Sequence, residues 1–558
     1  MAAGIGLVPG IAQAAGPVVP AAQGAPSTGG PADAAPKLKG RTFSSPGDRT
    51  VSTTPSGAKA GGTARAQGAP AAGKQYLAAD LYATSEGAHS IDLRTIVSNG
   101  EYTLVDVTIA WGDGTTDTFH TDPPFSGDLR HTKHRYAALG SYEVKVTVKD
   151  PVTGGEGVNG LTFVTEGTEF TAHEPTRLLD TREGIGAGRA KVGARTSVAL
   201  KVAGAAKVPA GVRSVVLNVT VTNTVAAGHI SVARDKELAE EAETSSLNYV
   251  AGQSVPNLVI APVGDDGYVH LFNAGWAPVD LLADVTGYFT ASKAAGYGPV
   301  TATRVVDTRE GLGTAKGQVA GYGSFGVPIA GRAGVPKSAT AVALNLTVTN
   351  PRSAGHLTAY PAGRPAPATS NLNFSAGQTV ANAVIVPIGA DGKISIRNGG
   401  WNPADVIVDV VGYYTPQSRS AFVSAWVPFR TLDTRVNFSW GVRPAGQVPA
   451  RTPEVMQYEA DTHSPKIDAW AVNTTVTNAT TDGFLSVAPD PNFWSDYEKG
   501  TAVAPKRPVS SALNWTAGGT VPNLVQTPGG KGGIVDFWNQ GWSGIDLIID
   551  LTGYYLTD

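Results

Sequence analysis

The sequence contains no cysteine in its 558 residues. This absence excludes disulfide-stapled scaffolds, thiolate zinc sites, iron–sulfur clusters and cysteine nucleophiles. It does not exclude export, because a domain with a large core folds without disulfides. The stability of the chain must therefore come from packed cores.

Charged residues are also scarce, at 16% of the chain, and the net charge is −3. A protein that binds nucleic acid through its phosphates needs a basic surface, which this composition does not indicate. No stretch after the first residues has the roughly 18 consecutive apolar residues that a membrane-spanning helix requires. We therefore expect neither a nucleic-acid partner nor a membrane span.

Glycine and proline are abundant instead, with 68 and 38 residues. Short runs rich in valine, threonine and tyrosine alternate with these turn-forming residues, a pattern typical of β-strands. A chain of this length usually folds as several domains. The sequence predicts an all-β, multi-domain protein.

The first 74 residues contain few of the large apolar side chains that a core needs. Residues 1–16 resemble the end of a secretory signal, with a small-x-small site at 12–14 but no preceding basic residue; the alternative is a simple tail of small residues. Residues 17–74 are rich in alanine, glycine and proline, and we expect a disordered leader there.

Residues 75–166 alternate in short strands around a Trp-Gly-Asp-Gly turn at 111–114. A His-Arg-Tyr segment follows at 134–136, and then an alternating tyrosine–valine strand at 142–148. This pattern resembles the PKD domain, an Ig-like β-sandwich. The resemblance implies that residues 75–166 form such a sandwich, with the alternating strand facing its core.

The rest of the chain is a threefold repeat, which we place at residues 167–291, 292–415 and 416–558. Each copy opens with R-x-x-D-T-R, continues with an N-x-T-V-T-N strand and closes with D-x-x-G-Y. The third copy is longer, with an insertion around residues 492–507. About eight short strands per copy predict that each repeat is a complete β-sandwich that folds alone.

These signatures resemble a family of secreted actinomycete modules that occur in tandem and beside other exported domains. The resemblance implies an extracellular or cell-surface location and a repeated β architecture. It implies no established activity.

The repeats also test which residues could carry chemistry, since a shared site must keep its chemical type. His229 and His356 occupy a position that is Phe484 in the third copy, which excludes a common imidazole site. The D-x-x-x-D pair on each last strand spans about 13 Å, too far for a glycosidase pair. We expect no catalytic residue, no cofactor and no metal, although three histidines, His120, His131 and His134, occur close together in the PKD-like segment.

The Asp-Thr-Arg triplet is present in all three copies, as Asp180/Arg182, Asp307/Arg309 and Asp433/Arg435. An acid and a base two residues apart on a strand point to the same face and can bond each other. We interpret the triplet as a structural tie with a mostly buried arginine. The alternative is a contact to a glycan hydroxyl or an anion.

The candidate ligand-binding residues are aromatic. A tryptophan follows an asparagine–glycine turn in each repeat, giving the pairs Asn273/Trp276, Asn398/Trp401 and Asn539/Trp542. An exposed indole on a turn can stack on a sugar ring, with the asparagine binding hydroxyls; the alternative is an indole that closes the end of each core. The sequence thus favours a secreted, noncatalytic protein that binds extracellular or cell-wall polysaccharide. A structural spacer or surface-assembly protein without a small ligand is the alternative.

Overall fold

The computed structural model describes residues 41–45, 51–53, 77–99, 104–121, 130–151, 154–436, 438–439, 445–458 and 466–558. Their strands form eight sheets, which pack in pairs as four sandwiches. The all-β fold with an N-terminal sandwich and three homologous repeats is confirmed. Among the described residues, no helix has the length and apolar character needed to cross a membrane.

The N-terminal sandwich packs a four-stranded sheet, β1-β3-β4-β7, on a five-stranded sheet, β2-β9-β8-β5-β6. Its strands are β1 (Thr42–Ser44), β2 (Val51–Thr53), β3 (Leu77–Ser85), β4 (Ser90–Asn99), β5 (Val105–Ala110), β6 (Thr116–Thr121), β7 (Arg130–Arg135), β8 (Ser141–Lys149) and β9 (Glu156–Val164). The alternating strand β8 buries Val144, Val146 and Val148 in the core, as its sequence predicts.

The expectation of a disordered leader over 17–74 is wrong for two of its segments. Strand β1 pairs with β3, and β2 pairs with β9, so both extend sheet edges through backbone hydrogen bonds. Phe43, a rare large apolar residue in this region, packs on Phe163 with ring centroids 5.0 Å apart. Edge pairing needs little side-chain burial, which is why composition alone missed it. The remaining residues of the leader, and the signal-like segment 1–16, lie outside the described residues.

The three repeats share one strand order. The first repeat contains β10 (Glu169–Asp180), β11 (Thr196–Lys201), β12 (Val212–Thr222), β13 (Gly228–Ala233), helix α1 (Lys236–Glu240), β14 (Leu247–Tyr249), β15 (Val255–Pro262), β16 (Tyr268–Asn273) and β17 (Asp280–Thr290). The second contains β18 (Gly296–Asp307), β19 (Ser324–Pro328), β20 (Ala341–Thr349), β21 (Gly355–Pro361), β22 (Leu372–Phe374), β23 (Val380–Pro387), β24 (Lys393–Asn398) and β25 (Asp405–Thr415). The third contains β26 (Ala421–Asp433), β27 (Phe438–Ser439), β28 (Pro453–Gln457), β29 (Ile467–Thr477), β30 (Gly483–Pro489), helix α2 (Trp494–Glu498), β31 (Leu513–Trp515), β32 (Val521–Pro528), a 3₁₀ turn (Lys531–Gly533), β33 (Ile534–Asn539) and β34 (Asp546–Leu556).

Each repeat packs an inner sheet on an outer sheet. In the first repeat the inner sheet has the order β10-β17-β12-β15 and the outer sheet β11-β16-β13-β14. The second repeat reproduces this order, and the third does so with β27 added at the edge beside β26. The long strand β12, which carries the N-x-T-V-T-N segment, is buried along nearly its whole length. Such burial on both faces means that the inner sheet has something packed on its second side as well.

The second side of the inner sheets is a core that all three repeats share. Rings from the first strand of one repeat stack on rings from the last strand of another, as Phe170 on Tyr414 (4.1 Å), Tyr297 on Tyr555 (4.0 Å) and Phe422 on Phe289 (4.7 Å). The glycine of D-x-x-G-Y makes room for them, because a Cβ on Gly287 or Gly412 would lie 2.2 Å from Phe170 or 2.1 Å from Tyr297. The three pairs join the repeats cyclically around one axis.

A ring of asparagines runs beside this aromatic core. The asparagine of the N-x-T-V-T-N strand donates to a backbone carbonyl of the adjacent repeat, as Asn218 to Ser370 (2.7 Å), Asn345 to Ser511, and Asn473 to Ser245 (2.6 Å). Each of their side-chain oxygens accepts a hydrogen bond from a second asparagine, namely Asn382, Asn523 and Asn257. Because the last link returns to the first repeat, the arrangement has pseudo-threefold symmetry and is closed.

The shared core changes the expectation that each repeat is independent. Each repeat does have its own core between its two sheets. However, a further cluster includes residues from all three copies, among them Val216, Ile385 and Leu524. A repeat taken alone would expose this apolar face to water.

The N-terminal sandwich lies against one end of the closed unit. Ala88 and Leu139 pack on Ala421 and Leu556, and Asp558 accepts hydrogen bonds from the backbone of His89 and from Ser90. At this same end the first strands of the repeats form backbone bridges between copies, such as Phe170 with Ala295. The contacts of the N-terminal sandwich that involve Ala88, Leu139 and His89 all lie at this end.

The insertion of the third repeat covers a buried acid. Asp536, on β33, is 1% exposed and lies beside Asp490, which begins the insertion. Tyr497 of helix α2 donates a hydrogen bond of 2.5 Å to Asp490 and so fixes the insertion in place. Burial and the neighbouring Asp490 together raise the pKa of Asp536 to about 8.

This raised pKa predicts a pH-dependent stability. The folded chain keeps the Asp536 proton up to about pH 8, whereas the unfolded chain loses it near pH 4. Stability should therefore decline as pH rises between those values. Asp536→Asn mimics the protonated acid, and we expect it to raise the midpoint of thermal unfolding at pH 8 while changing it little at pH 5. Asp391→Asn, at a half-exposed acid, is the control; equal pH profiles for wild type and Asp536→Asn would contradict the prediction.

Candidate functional site

The three tryptophans of the repeat lie in the turn that joins the outer sheet to the inner sheet. In the first repeat this turn connects β16 to β17. The exposed fractions of Trp276, Trp401 and Trp542 are 79%, 80% and 75%. Tryptophan residues in folded proteins are mostly buried, so exposure at three equivalent positions argues against the alternative, in which each indole closes the end of its core.

The asparagines of the same turns are not available to a ligand, which corrects their assignment as binding residues. Asn273, Asn398 and Asn539 are fully buried. The Asn273 amide donates to three backbone carbonyls, and its oxygen accepts from Gly275 and from the Tyr249 hydroxyl. Their side chains shape the turn and hold the indole outward. A buried amide of this kind has no hydrogen-bonding capacity left.

The partners of the indoles come instead from a turn before the first strand of the outer sheet. Arg195, Tyr322 and Arg451 share this repeat position, and all three have a left-handed backbone, with φ of 55°, 59° and 63°. The arginines place their guanidinium groups 5.7 Å from the Trp276 ring and 4.7 Å from the Trp542 ring. Both distances are within cation–π range.

The second repeat uses an aromatic partner at this position. The Tyr322 ring meets Trp401 edge to face at 5.2 Å, and Arg397 lies 6.0 Å from the tyrosine ring. Every indole is therefore held beside a cation, either directly or through one ring. An alignment of the three repeats at residues 195, 322 and 451 could have identified this position from the sequence. The signal is weak, because arginine and tyrosine differ in chemical type.

The histidines beside the turns are packing residues. The His229 and His356 backbones accept hydrogen bonds from the tryptophan turns, and a Cβ on Gly399 would lie 2.1 Å from the His356 ring. Burial lowers the pKa of both histidines, and nearby arginines lower it further. Neutral imidazoles and the Phe484 ring can then fill the same place, as expected from the sequence.

The tryptophan turns lie at the end of the repeats away from the N-terminal sandwich. Trp542 precedes the first residue of β34, while the sandwich packs on Leu556, its last residue. A strand of this length spans about 33 Å. By the pseudo-threefold symmetry, the other two indoles lie at the same end as Trp542.

The Asp-Thr-Arg triplet forms the expected tie, but its arginine is not the buried partner. The second arginine of R-x-x-D-T-R donates two hydrogen bonds to the aspartate two residues earlier, as Arg309 does to Asp307 at 2.9 and 2.7 Å. The side chains of Arg182, Arg309 and Arg435 are nevertheless 41%, 42% and 43% exposed, so the expectation of mostly buried arginines is wrong. Asp180, Asp307 and Asp433 are buried.

The first arginine of the motif carries the buried tie instead. Arg304 bonds Asp409, from the last strand, at 2.9 Å and approaches Asp307 at 3.6 Å. Arg177 and Arg430 repeat this geometry with Asp284 and Asp550. The hydroxyl of the motif threonine binds the remaining acid, as Thr308 binds Asp405 at 2.8 Å. Every polar residue of the motif thus has a partner inside the protein.

The histidines of the N-terminal sandwich do not come together. His120 pairs with Asp106, His131 with Asp92, and His134 with Asp113. Within the described part of the chain, no group of three or more acids and histidines could hold a metal ion. His134 also stacks on the buried Trp111 at 4.6 Å, and Tyr136 donates to the Trp111 carbonyl. These two contacts fix the Trp-Gly-Asp-Gly turn onto the core.

No protein-family model matches the sequence, and a comparison with curated proteins finds no match either. Among solved structures, the chain is similar to the native conformation of alpha-2-macroglobulin from E. coli, with 10% sequence identity and a TM-score of 0.13. The match covers 89% of this chain and 28% of that one. A likeness at this level carries no argument about function.

Proposed function

We propose that the protein is a noncatalytic, exported polysaccharide-binding protein whose three tryptophan turns stack on sugar rings outside the cell. The observation that carries the proposal is the exposure of Trp276, Trp401 and Trp542 at equivalent positions. The other repeated signatures have partners within the fold. Among the repeated signatures of the described residues, the indoles are the ones that remain largely exposed.

The surroundings of the indoles support this function. Sugar rings have apolar faces that pack on an aromatic surface, and their hydroxyls bind polar groups at its edge. The cations at Arg195 and Arg451 fix the orientation of their indoles, so little side-chain entropy is lost on binding. Since the three turns share one end of the unit, one polymer surface can engage all of them, and weak sites then combine into avidity.

The location outside the cell and the PKD-like identity of residues 75–166 belong to the same proposal. The packing of His134 and Tyr136 on Trp111 supports the PKD-like interpretation of the N-terminal sandwich. An N-terminal sandwich at the far end of the unit would leave the tryptophan turns facing the polymer.

We expect the triple variant Trp276→Ala, Trp401→Ala, Trp542→Ala to lose retention on the insoluble polysaccharide that binds the full chain. Each single variant should lose only part of it, because avidity from the remaining two sites is worth on the order of a hundredfold. The measurement is a pull-down on a panel that includes cellulose, chitin, xylan and peptidoglycan. Trp426→Ala is the matched control, since Trp426 is 65% exposed but lies outside the tryptophan turns, against Arg234. Retention of the triple variant at the wild-type level would contradict sugar stacking by the tryptophan turns and favour the alternative of a structural spacer without a small ligand.

A further inference from the structure

A groove lies between the second and third repeats, next to Trp542. Its volume is about 360 Å³, and both repeats line it. Gly377 and Thr379, from the loop before β23, form one wall, while Arg451, Asp482 and Asn514 of the third repeat form the other together with Trp542. The groove is therefore complete only because the two repeats are docked.

Two acceptors line this groove, and of the two the exposed one can reach a ligand. The Oδ1 of Asn514 is buried without a hydrogen-bond donor, whereas the equivalent Asn248 of the first repeat accepts from Ser245. Asp482 is exposed, and the backbone of Ala517 donates to its Oδ1 at 2.8 Å. No donor among the described residues reaches its Oδ2.

The charges of the groove indicate which sugars fit. Arg451 stacks on Trp542 and donates to the Gln540 carbonyl at 2.9 Å, so its guanidinium is already engaged within the protein. Asp482 brings a negative charge into the same groove, which disfavours an anionic ligand there. Alanine stands at the equivalent positions, Ala227 and Ala354, of the other repeats. The acid is thus a feature of the third repeat.

Resting on the proposed function, we propose that this groove is a composite subsite for an uncharged pyranose unit. The Trp542 indole stacks on one face of the sugar ring. Asp482 accepts a hydrogen bond from one of its hydroxyls, and the Gly377–Thr379 loop of the second repeat closes the other side. A uronate unit, with a carboxylate in place of a hydroxymethyl group, is disfavoured by Asp482.

The test uses the full-length chain with Trp276→Ala and Trp401→Ala, so that Trp542 is the one indole left in the tryptophan turns. Binding of three soluble hexasaccharides is measured by calorimetry, namely cellohexaose, chitohexaose and hexagalacturonate. We expect at least one neutral hexasaccharide to bind and hexagalacturonate to bind roughly tenfold more weakly or not at all. Adding Asp482→Ala should weaken the neutral ligand by roughly tenfold, the effect of one lost charge-assisted hydrogen bond. Thr379→Trp places a large side chain in the groove from the second repeat and should also prevent binding. Asp391→Ala, at an acid outside the groove, is the control.

The outcomes separate the subsite from the general function. If Asp482→Ala and Thr379→Trp leave the affinity unchanged while Trp542→Ala removes it, the subsite is wrong and stacking by the tryptophan turns stands. Equal affinity for hexagalacturonate would also overturn the subsite, as would the absence of hexasaccharide binding in a chain that still binds polymer through its tryptophans. The polysaccharide pull-down decides the proposed function separately.

Discussion

Arg304→Ala is expected to lower the free energy of unfolding of the repeat unit by about 3–5 kcal/mol, the usual consequence of leaving one member of a buried ion pair alone. The Asp409 side chain is fully buried, and Arg304 is the cation that binds both of its oxygens. The same arginine donates to the Val509 carbonyl of the third repeat, at 3.4 Å. Its removal should therefore loosen the second repeat and its contact with the third.

The control for this prediction is in the same motif. Arg309→Ala removes a half-exposed guanidinium, and exposed pairs contribute about 0–1 kcal/mol. Urea unfolding at pH 7 compares the two variants. Burial raises the pKa of Asp409 even with Arg304 present, so the loss in Arg304→Ala should shrink as the acid takes up a proton at lower pH. Equal effects of the two substitutions would mean that the buried pair is not the tie.

A fragment of residues 296–416 is expected to assemble into a homotrimer. Alone, this repeat would expose Tyr297, Ala343, Ile385 and Tyr414, which the other two repeats cover in the full chain. It also carries both halves of the asparagine contact, since Asn345 is a donor to the next repeat and Ser370 an acceptor from the previous one. Three identical copies can therefore close the same ring.

Sedimentation equilibrium over a range of concentrations measures this assembly. Asn345→Asp in the fragment is the matched variant, because a carboxylate cannot donate to the Ser370 carbonyl, and it should shift the equilibrium toward monomer. An unfolded or insoluble fragment would still agree with the shared core. A monomeric fragment that unfolds cooperatively would contradict it and restore the picture of independent sandwiches.

Much of the fold could be predicted from the sequence because the relevant signals are local. Alternating valines such as Val144 and Val146 and frequent glycine turns predict strands, and the recurrence of R-x-x-D-T-R predicts three like domains. The same comparison excluded His229 as a shared ligand. The exposure of Trp276 could be stated only as one of two alternatives, because a glycine turn is compatible with an indole on either side of the surface.

The contacts between repeats could not be predicted. Periodicity within a strand indicates which face is buried, but not which other element covers that face. Asn218 looked like part of a strand signature, and its bond to Ser370 crosses 152 positions of sequence. The buried role of Asn273 was missed because a polar residue on a turn is usually solvated. The Trp542 groove depends on Thr379 from another repeat, so no motif within one copy contains it.

The three repeats of the closed ring belong to one polypeptide, so the surfaces around their three tryptophan turns can differ from one another. In a trimer of identical chains, any substitution would appear at all three of these surfaces at once. In this chain the third repeat has Asp482 where the other two have Ala227 and Ala354, and the central asparagine contacts are untouched. A single polypeptide can thus present three unequal surfaces at one end, and engineering one of them requires no compensation in the others.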